Sequence, residues 1–412
     1  MLKFTRYRLK LMLIISLLLG SFLMLGMQKT ASSKDEKIFK NIFIQDIDIG
    51  GLNLSEAKLK VNQVYEPKTI ELKYNDKVWR IYPKDIDLDF NVDNSLEKAY
   101  KYTRSEDNLD NIKRIVNLSF AGTYEVNLHS SYDEVKLTEI IDKISEEIDV
   151  QVQEATLEIK DSGEIVRTPS KEGIELDVVK LKEEIYNMLA EKQIKNTDLP
   201  INIIKPTITT EDVNSIDTIL GQYSTGFNDH TSRGSNIHVA GKSSSDRLVM
   251  PMDTFSYNKS TGARTWSNGY KSAKVIVGGR YVNGEGGGVC QVSTTIYNAA
   301  LLAGMEIEEV HNHTYPSRYA PKGRDAAVSY GYTDLKFKNP YSHPVYIKNI
   351  VNNGAVTSKI YGCSQDRERI YLKCEEKYEK EKIMVKTYRI YLDEENNKIR
   401  EELISNNKYK MK

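Results

Sequence analysis

This 412-residue chain lacks a surplus of charge of either sign: Lys+Arg and Asp+Glu are equal at 58 each. A net charge of zero removes the electrostatic argument for a nucleic-acid partner, which rests on a basic surface facing phosphates. Cysteine is scarce, with three in all, so a dense disulfide framework is excluded. The first cysteine is Cys290, far beyond the apolar N-terminal run, so the lipid-bearing residue of a lipoprotein anchor is missing. Phenylalanine is also rare, 9 against 26 tyrosines. That balance suits strands and extended polar surfaces better than a thick aromatic core, and the same tyrosines would suit stacking on carbohydrate. Up to residue 207 there is no cluster of His, Cys or paired acids at catalytic spacing. That half reads as binding or spacing elements.

What is present begins with Lys3, Arg6, Arg8 and Lys10, followed by an apolar run from Leu11 to Met27. Roughly 17 apolar residues is the lower limit for a membrane-spanning helix, and the basic flank favours a cytoplasmic N-terminus. Residues 28–33 form a poor cleavage site, which favours a retained anchor over a removed signal. The expectation is a cytoplasmic tail (1–10), a single-pass transmembrane helix (11–27) and an extracellular bulk.

The length predicts two or three further domains. From 38 to 207 the chain repeats a theme of strand hairpin followed by helix. Thr69–Tyr74 and Val78–Pro83 alternate as strands around Asn75-Asp76, and a helix follows near Ser95–Tyr102. Ala155–Lys160 and Glu164–Pro169 do the same around Asp161-Ser162-Gly163, with a helix over 179–191. Arg80 corresponds to Arg167, and Leu88-Asp89 to Leu176-Asp177. Period-two alternation gives each hairpin one dry and one wet face. The reading is two tandem α+β modules, 38–130 and 131–207, with Asp93, Asn94 or Ser95 capping the first helix.

A polar, Gly/Ser-rich stretch opens a last domain over 215–350, with a helix starting near Arg233. Its centre is Gly286-Gly287-Gly288-Val289-Cys290-Gln291-Val292-Ser293-Thr294-Thr295. The glycines allow φ > 0 and close approach to a ligand or a neighbouring chain. Val292, Ile296, Ala299, Ala300 and Ala303 then share one helical face, and Gly304 is a natural stop. Cys290 therefore opens a helix, where free N–H groups and the dipole favour a thiolate. Strands are expected at 308–310, 326–330, 335–338 and 345–350, on an α+β plan with the Cys290 helix packed on an antiparallel sheet. Residues 351–412 read as a strand-rich, charged extension with an edge or frayed end. There Cys363 and Cys374 lie close enough in sequence for a hairpin disulfide to be open.

Gly286 to Gly304, the segment Gly323-Arg-Asp-Ala-Ala-Val-Ser-Tyr-Gly-Tyr332, and the upstream Thr254–Asn258 and Gly269-Tyr270 are similar to the signature of the VanW family. The likeness covers about 219–350. It implies a Gram-positive cell-envelope protein from a family named for an accessory protein of glycopeptide-resistance clusters, with no settled activity. The preceding modules, opening with Gly50-Gly51-Leu52-Asn53-Leu54-Ser55-Glu56-Ala57, resemble the peptidoglycan-binding domain that commonly accompanies it. The implied partners are peptidoglycan or another wall polymer, and the membrane through the N-terminal helix.

Two functions stay open. In one, the domain binds or scaffolds wall polymer. In the other, Cys290 is a nucleophile activated by His311 or His313 on a following strand, with Asp325 on the next strand orienting the imidazole. That order resembles papain-like and cell-wall amidase or peptidase folds. The Cys290 N–H and the Gln291 side chain would supply an oxyanion hole. Gly286, Gly287, Gly288, Ser293, Thr294 and Arg324 would line the substrate cleft. Each also has a plain structural reading: a small buried cysteine, an Arg324–Asp325 ion pair, or hydroxyls satisfying a helix start. No second close-spaced ligand pair accompanies the two histidines, so neither a metal nor a cofactor is expected.

Overall fold

The computed structural model describes residues 37–277 and 280–411. The tail and anchor expected over 1–27 lie outside these residues. Among the described residues no helix is long and apolar enough to cross a membrane. The protein is mixed α+β and divides into two compact units, one formed by residues up to 151 together with 174–204, the other by 152–173 together with 205–412.

In the first unit, helices start where short polar side chains can accept from free N–H groups. Asn53 caps Leu54–Tyr65 reciprocally with Glu56, and Asp107 and Asp133 cap Asn108–Phe120 and Glu134–Ile148. The helix Val92–Lys101 differs from expectation. It begins after Asn91, which is left-handed at φ 54° and makes no side-chain cap, so Asp93 and Ser95 fall inside it. Ile70–Tyr74 and Lys77–Ile81 form the first expected hairpin. Leu72 and Lys73 then pair in parallel with Thr197 and Asp198 from far along the chain. One aliphatic core runs from Ile38 through Leu72, Ile141 and Ile185 to Leu199.

Contacts thus divide the chain differently from 38–130 and 131–207. The second hairpin, Thr156–Ile159 with Ile165–Thr168, belongs to the other unit. There Ile159 packs with Ile216, Tyr346 and Tyr361, and Arg167 donates to the carbonyls of Val213 and Ile216. Its counterpart Arg80 only pairs with Glu71 on its own hairpin. Similar local sequence has been put to different tertiary use.

The second unit is built on a four-stranded antiparallel sheet in the order Thr218–Gly226, Ala355–Gly362, Val345–Asn352, Arg247–Val249. The helix Val289–Leu302 lies on it, with every residue from Gln291 to Leu301 buried. Close seating is possible because Gly221 has no side chain: a Cβ there would come within 2.5 Å of the Ala299 carbonyl and the Ala303 nitrogen. The helix gives way at Ala303, and Gly304 follows at φ 78°. A second helix, Ser232–Ser243, is capped by Thr231 and packs nearby. Thr254–Ser256, Lys336–Lys338 and Glu306–Glu309 make a small antiparallel sheet.

Two expectations fail here. Residues 326–330 are not a strand; only Ser329 bridges to Thr333. The C-terminal extension is not frayed. Arg369–Glu379, Lys382–Leu392 and Lys398–Lys410 form a long three-stranded antiparallel sheet with its own small core of Ile383, Val385 and Tyr409. All three cysteines are free: Cys363 is buried, and the Cys374 sulfur sits 3.7 Å from the Thr387 hydroxyl.

Candidate active site

Cys290 is the second residue of the buried helix, whose N-cap is Gly288 at φ 115° with no side chain to satisfy the first N–H groups. The glycine run serves close packing of protein on protein. A Cβ at Gly288 would lie 2.9 Å from the Arg233 carbonyl, one at Gly287 2.7 Å from the Lys274 carbonyl, and one at Gly286 2.7 Å from the Arg264 stem. Gly286 and Gly288 both hold positive φ, which only glycine adopts without strain. Of the two uses expected for these glycines, approach to a neighbouring chain is the one the backbone shows.

Cys290 is partly exposed as a residue; its sulfur reaches the Val328 carbonyl at 3.5 Å, and the His313 imidazole lies close enough for each group to shift the other's proton affinity. His313 Nδ1 is 2.6 Å from Asp325 Oδ2, and the His313 backbone N–H donates to the same oxygen at 2.8 Å. With Nδ1 engaged by the carboxylate, Nε2 is the nitrogen left for the sulfur. Asp325 is 1 % exposed, so its charge must be met by donors; Tyr409 supplies one more, its hydroxyl donating to Oδ1.

The electrostatics follow from this geometry. Burial pushes the Cys290 thiol up, but the hydrogen bond and positive charge of His313, helped by the Val328 backbone and Arg264, outweigh it and hold the thiol below its ordinary value. Burial pulls His313 down, while Asp325 and Cys290 together raise it to about 10. Both shifts act in the direction that favours a thiolate beside an imidazolium.

Other expected site residues stand elsewhere. His311 faces Glu309 at 3.2 Å with its side chain about half exposed. The strand expected to carry His311 and His313 does not form, since 311–313 is irregular. Asp325 too lies on a loop rather than a strand, and no Arg324–Asp325 pair forms: the Arg324 Nε donates to Asn298 Oδ1 at 2.6 Å, and its guanidinium stacks on Tyr223. Gln291 cannot serve an oxyanion. Its Oε1 accepts from Arg233, its Nε2 donates to Thr225 and Gly226, and it is 1 % exposed. Ser293 and Thr294 are fully buried and tie the helix to Ala326, the Ser293 hydroxyl donating to its carbonyl and Thr294 accepting from its N–H. Their role is to hold the segment that follows Asp325.

Two residues went unseen in the sequence. The Tyr319 hydroxyl lies 3.5 Å from His313 Nε2 with the rings edge-on, and burial, then the charges of Cys290 and Asp325, push its phenol well up. Tyr409 lies 84 residues from Asp325. No local pattern marks either one.

Among the described residues, one other group of metal-ligand types converges: His343, Cys363 and Asp366, with their ligand atoms within 4.8 Å of one another. His343 Nδ1 pairs directly with Asp366 at 3.0 Å, so both are satisfied without an ion.

The stretch 232–361, which contains Cys290, His313 and Asp325, matches the family described as VanW like protein. Over 214 residues the chain is 36% identical to the Uncharacterized protein YoaR of Bacillus subtilis (strain 168), a span that covers 52% of this chain and 70% of that protein. The chain belongs to the VanW family. Over 130 residues it is also 28% identical to the Vancomycin B-type resistance protein VanW of Enterococcus faecalis (strain ATCC 700802 / V583), covering 30% of this chain and 47% of that relative. Residues 79–198 match a family described as "Putative peptidoglycan binding domain". No solved structure matches the chain. The VanW match ends at residue 361 and so leaves out the sheet that carries Tyr409.

Proposed function

We propose that this VanW-family protein is a cell-wall enzyme that uses Cys290 to transfer or hydrolyse acyl groups of peptidoglycan stem peptides, while residues 79–198 hold it on the wall polymer. The observation that carries the reading is His313, held by Asp325 at 2.6 Å and near enough to Cys290 for each to shift the other's proton affinity. A domain that only binds polymer has no use for a thiol held below its ordinary pKa at a helix start. In the proposed step the thiolate attacks a peptide carbonyl, and the imidazolium gives its proton to the leaving amine as the C–N bond breaks. A second amine or water then attacks the thioester, losing its proton to His313 as the C–S bond breaks and the thiolate returns. Asp325 holds the imidazole tautomer throughout.

The apolar run at 11–27 would tether the protein to the membrane, with the remainder outside the cell. A part in glycopeptide tolerance rests on the name of one relative, and loss of tolerance on deletion of the protein would test it.

The test of the chemistry uses the full chain in detergent with digested sacculi, followed by mass spectrometry. The wild type should alter stem peptides and carry an acyl adduct at Cys290, and Cys290→Ala should do neither while still co-sedimenting with intact sacculi. Equal processing by both proteins, or by neither, would overturn the enzymatic reading and leave a binding protein.

A further inference from the structure

The C-terminal sheet touches the loops that carry the two non-cysteine members of the site. Tyr409 is fully buried, its hydroxyl donating to Asp325 Oδ1 and accepting from the Gly323 N–H at 2.8 Å. From the middle strand, the Thr387 hydroxyl donates to the Gly323 carbonyl at 2.9 Å. Gly323 sits at φ 85°, and a side chain there would run into Thr387 and Val385. The other loop is held in the same way: the Lys410 N–H donates to the Thr314 carbonyl at 2.8 Å, and the Asn312 amide donates to the Lys408 carbonyl at 3.1 Å. The last strand therefore fixes residues on either side of His313 and the residue two before Asp325. One of its side chains ends on the Asp325 carboxylate itself.

Resting on the reading of Cys290 as a nucleophile, we infer that Tyr409 is a positioning residue for the reaction, and that the C-terminal sheet is part of the site. Asp325 has two oxygens. His313 occupies Oδ2 through both its ring and its backbone N–H, so the direction of the carboxylate plane is set by what holds Oδ1. A buried carboxylate that loses a donor binds a proton more readily and is free to turn. Either change weakens its hold on the imidazolium, and the sulfur loses its positive partner in turn. The phenol takes no part in bond making.

The test needs no substrate. Alkylation of Cys290 by iodoacetamide is followed against pH in the full chain, with peptide mass spectrometry separating Cys290 from Cys363 and Cys374. Wild-type Cys290 should show a midpoint well below that of a free thiol. Tyr409→Phe should raise the midpoint by about one pH unit in a protein that still unfolds cooperatively, at a melting temperature a few degrees lower, because the ring and its packing are kept while Asp325 and the Gly323 N–H lose a partner. Tyr371→Phe, on an exposed position of the same sheet, should leave it unchanged. A folded Tyr409→Phe protein whose profile overlays the wild type overturns the inference and leaves the proposed function standing. An ordinary thiol midpoint in the wild type overturns both. If Tyr409→Phe does not fold, Thr387→Val, which removes the nearest of the three side-chain donors to the Gly323 carbonyl and loosens the same clamp, decides by the same measurement.

Discussion

The two units spend their polar groups differently. In the first, Ile42, Leu72, Ile141, Ile185 and their neighbours make an aliphatic core, and among the described residues the buried polar ones are only Ser95, Thr103 and Asn111. Its other polar side chains cap helices or pair at the surface, as Lys58 does with Asp93 and Lys136 with Asp87. In the second, one helix alone buries Gln291, Ser293, Thr294, Thr295 and Asn298, and Asp325 and Arg389 are buried nearby. Each is met by named partners, Arg389 by Glu402 and the Met305 carbonyl. Burying so many polar groups is costly unless every one is satisfied, and an apolar core would give stability more simply. The return is rigidity at the loops around Cys290. The chemistry proposed at Cys290 would use such a polar interior.

The largest effect that tests this contrast is a cavity in the aliphatic core. Ile141→Ala should cost about 2–5 kcal/mol in the urea transition of the first unit, because Ile141 is fully buried there. Cys290 alkylation should be untouched. If thiol reactivity falls together with the first unit, the two regions are not separate in the sense argued above.

Next comes the imidazole. His313→Ala leaves burial at Cys290 opposed only by the Val328 backbone and Arg264, so the thiol midpoint should rise. The thiolate fraction at pH 7 then drops. Higher-pKa thiolates are intrinsically more nucleophilic, so the alkylation rate should fall about tenfold net. His311→Ala should change nothing, since His311 faces Glu309. The sign of the pH dependence follows from the same pair. In the wild type the alkylation rate falls as acid protonates the thiolate. Acyl transfer, which needs a proton on His313, should also fail as pH rises through about 10. Equal loss from the two histidine variants would remove His313 from the site.

Much of the second unit was legible because its signals are local. The 3–4 spacing of Val292, Ile296, Ala299, Ala300 and Ala303 and the stop at Gly304 placed the helix, and with it Cys290 at an N-terminus. Choosing between His311 and His313 was beyond local patterning, since both lie on an irregular loop whose path is set by the last strand of the chain. Gln291, Ser293 and Thr294 looked like cleft residues because polar side chains beside a cysteine are ambiguous in one dimension. Only the facing partners Arg233, Thr225 and Ala326 show that they are scaffold. The repeated hairpins misled for a related reason: strand alternation reports a dry face but not what covers it, and Ile159 found its cover among Ile216, Tyr346 and Tyr361. Charge in the C-terminal extension suggested a loose end, yet alternation along Lys382–Leu392 buries Ile383, Val385, Thr387, Arg389 and Tyr391 on one side.

The smallest effect concerns helix starts, where the contrast between the units is sharpest. Asp133 Oδ1 accepts from Val135 and Lys136 at 2.9 and 3.1 Å, a full side-chain cap for Glu134–Ile148. Asp133→Ala should cost the first unit about 1 kcal/mol, read from its urea midpoint at constant slope. The Cys290 helix has no such device, and none can be added: any side chain at Gly288 meets the Arg233 carbonyl and a φ of 115°. Its first N–H groups and dipole stay unscreened by a capping side chain beside the sulfur, whereas Asp133 neutralises the same field in the first unit. If Asp133→Ala left the midpoint unmoved, capping would not be a stability device in the first unit. The bare start of the Cys290 helix could then not be read as stability given up for charge at the thiol.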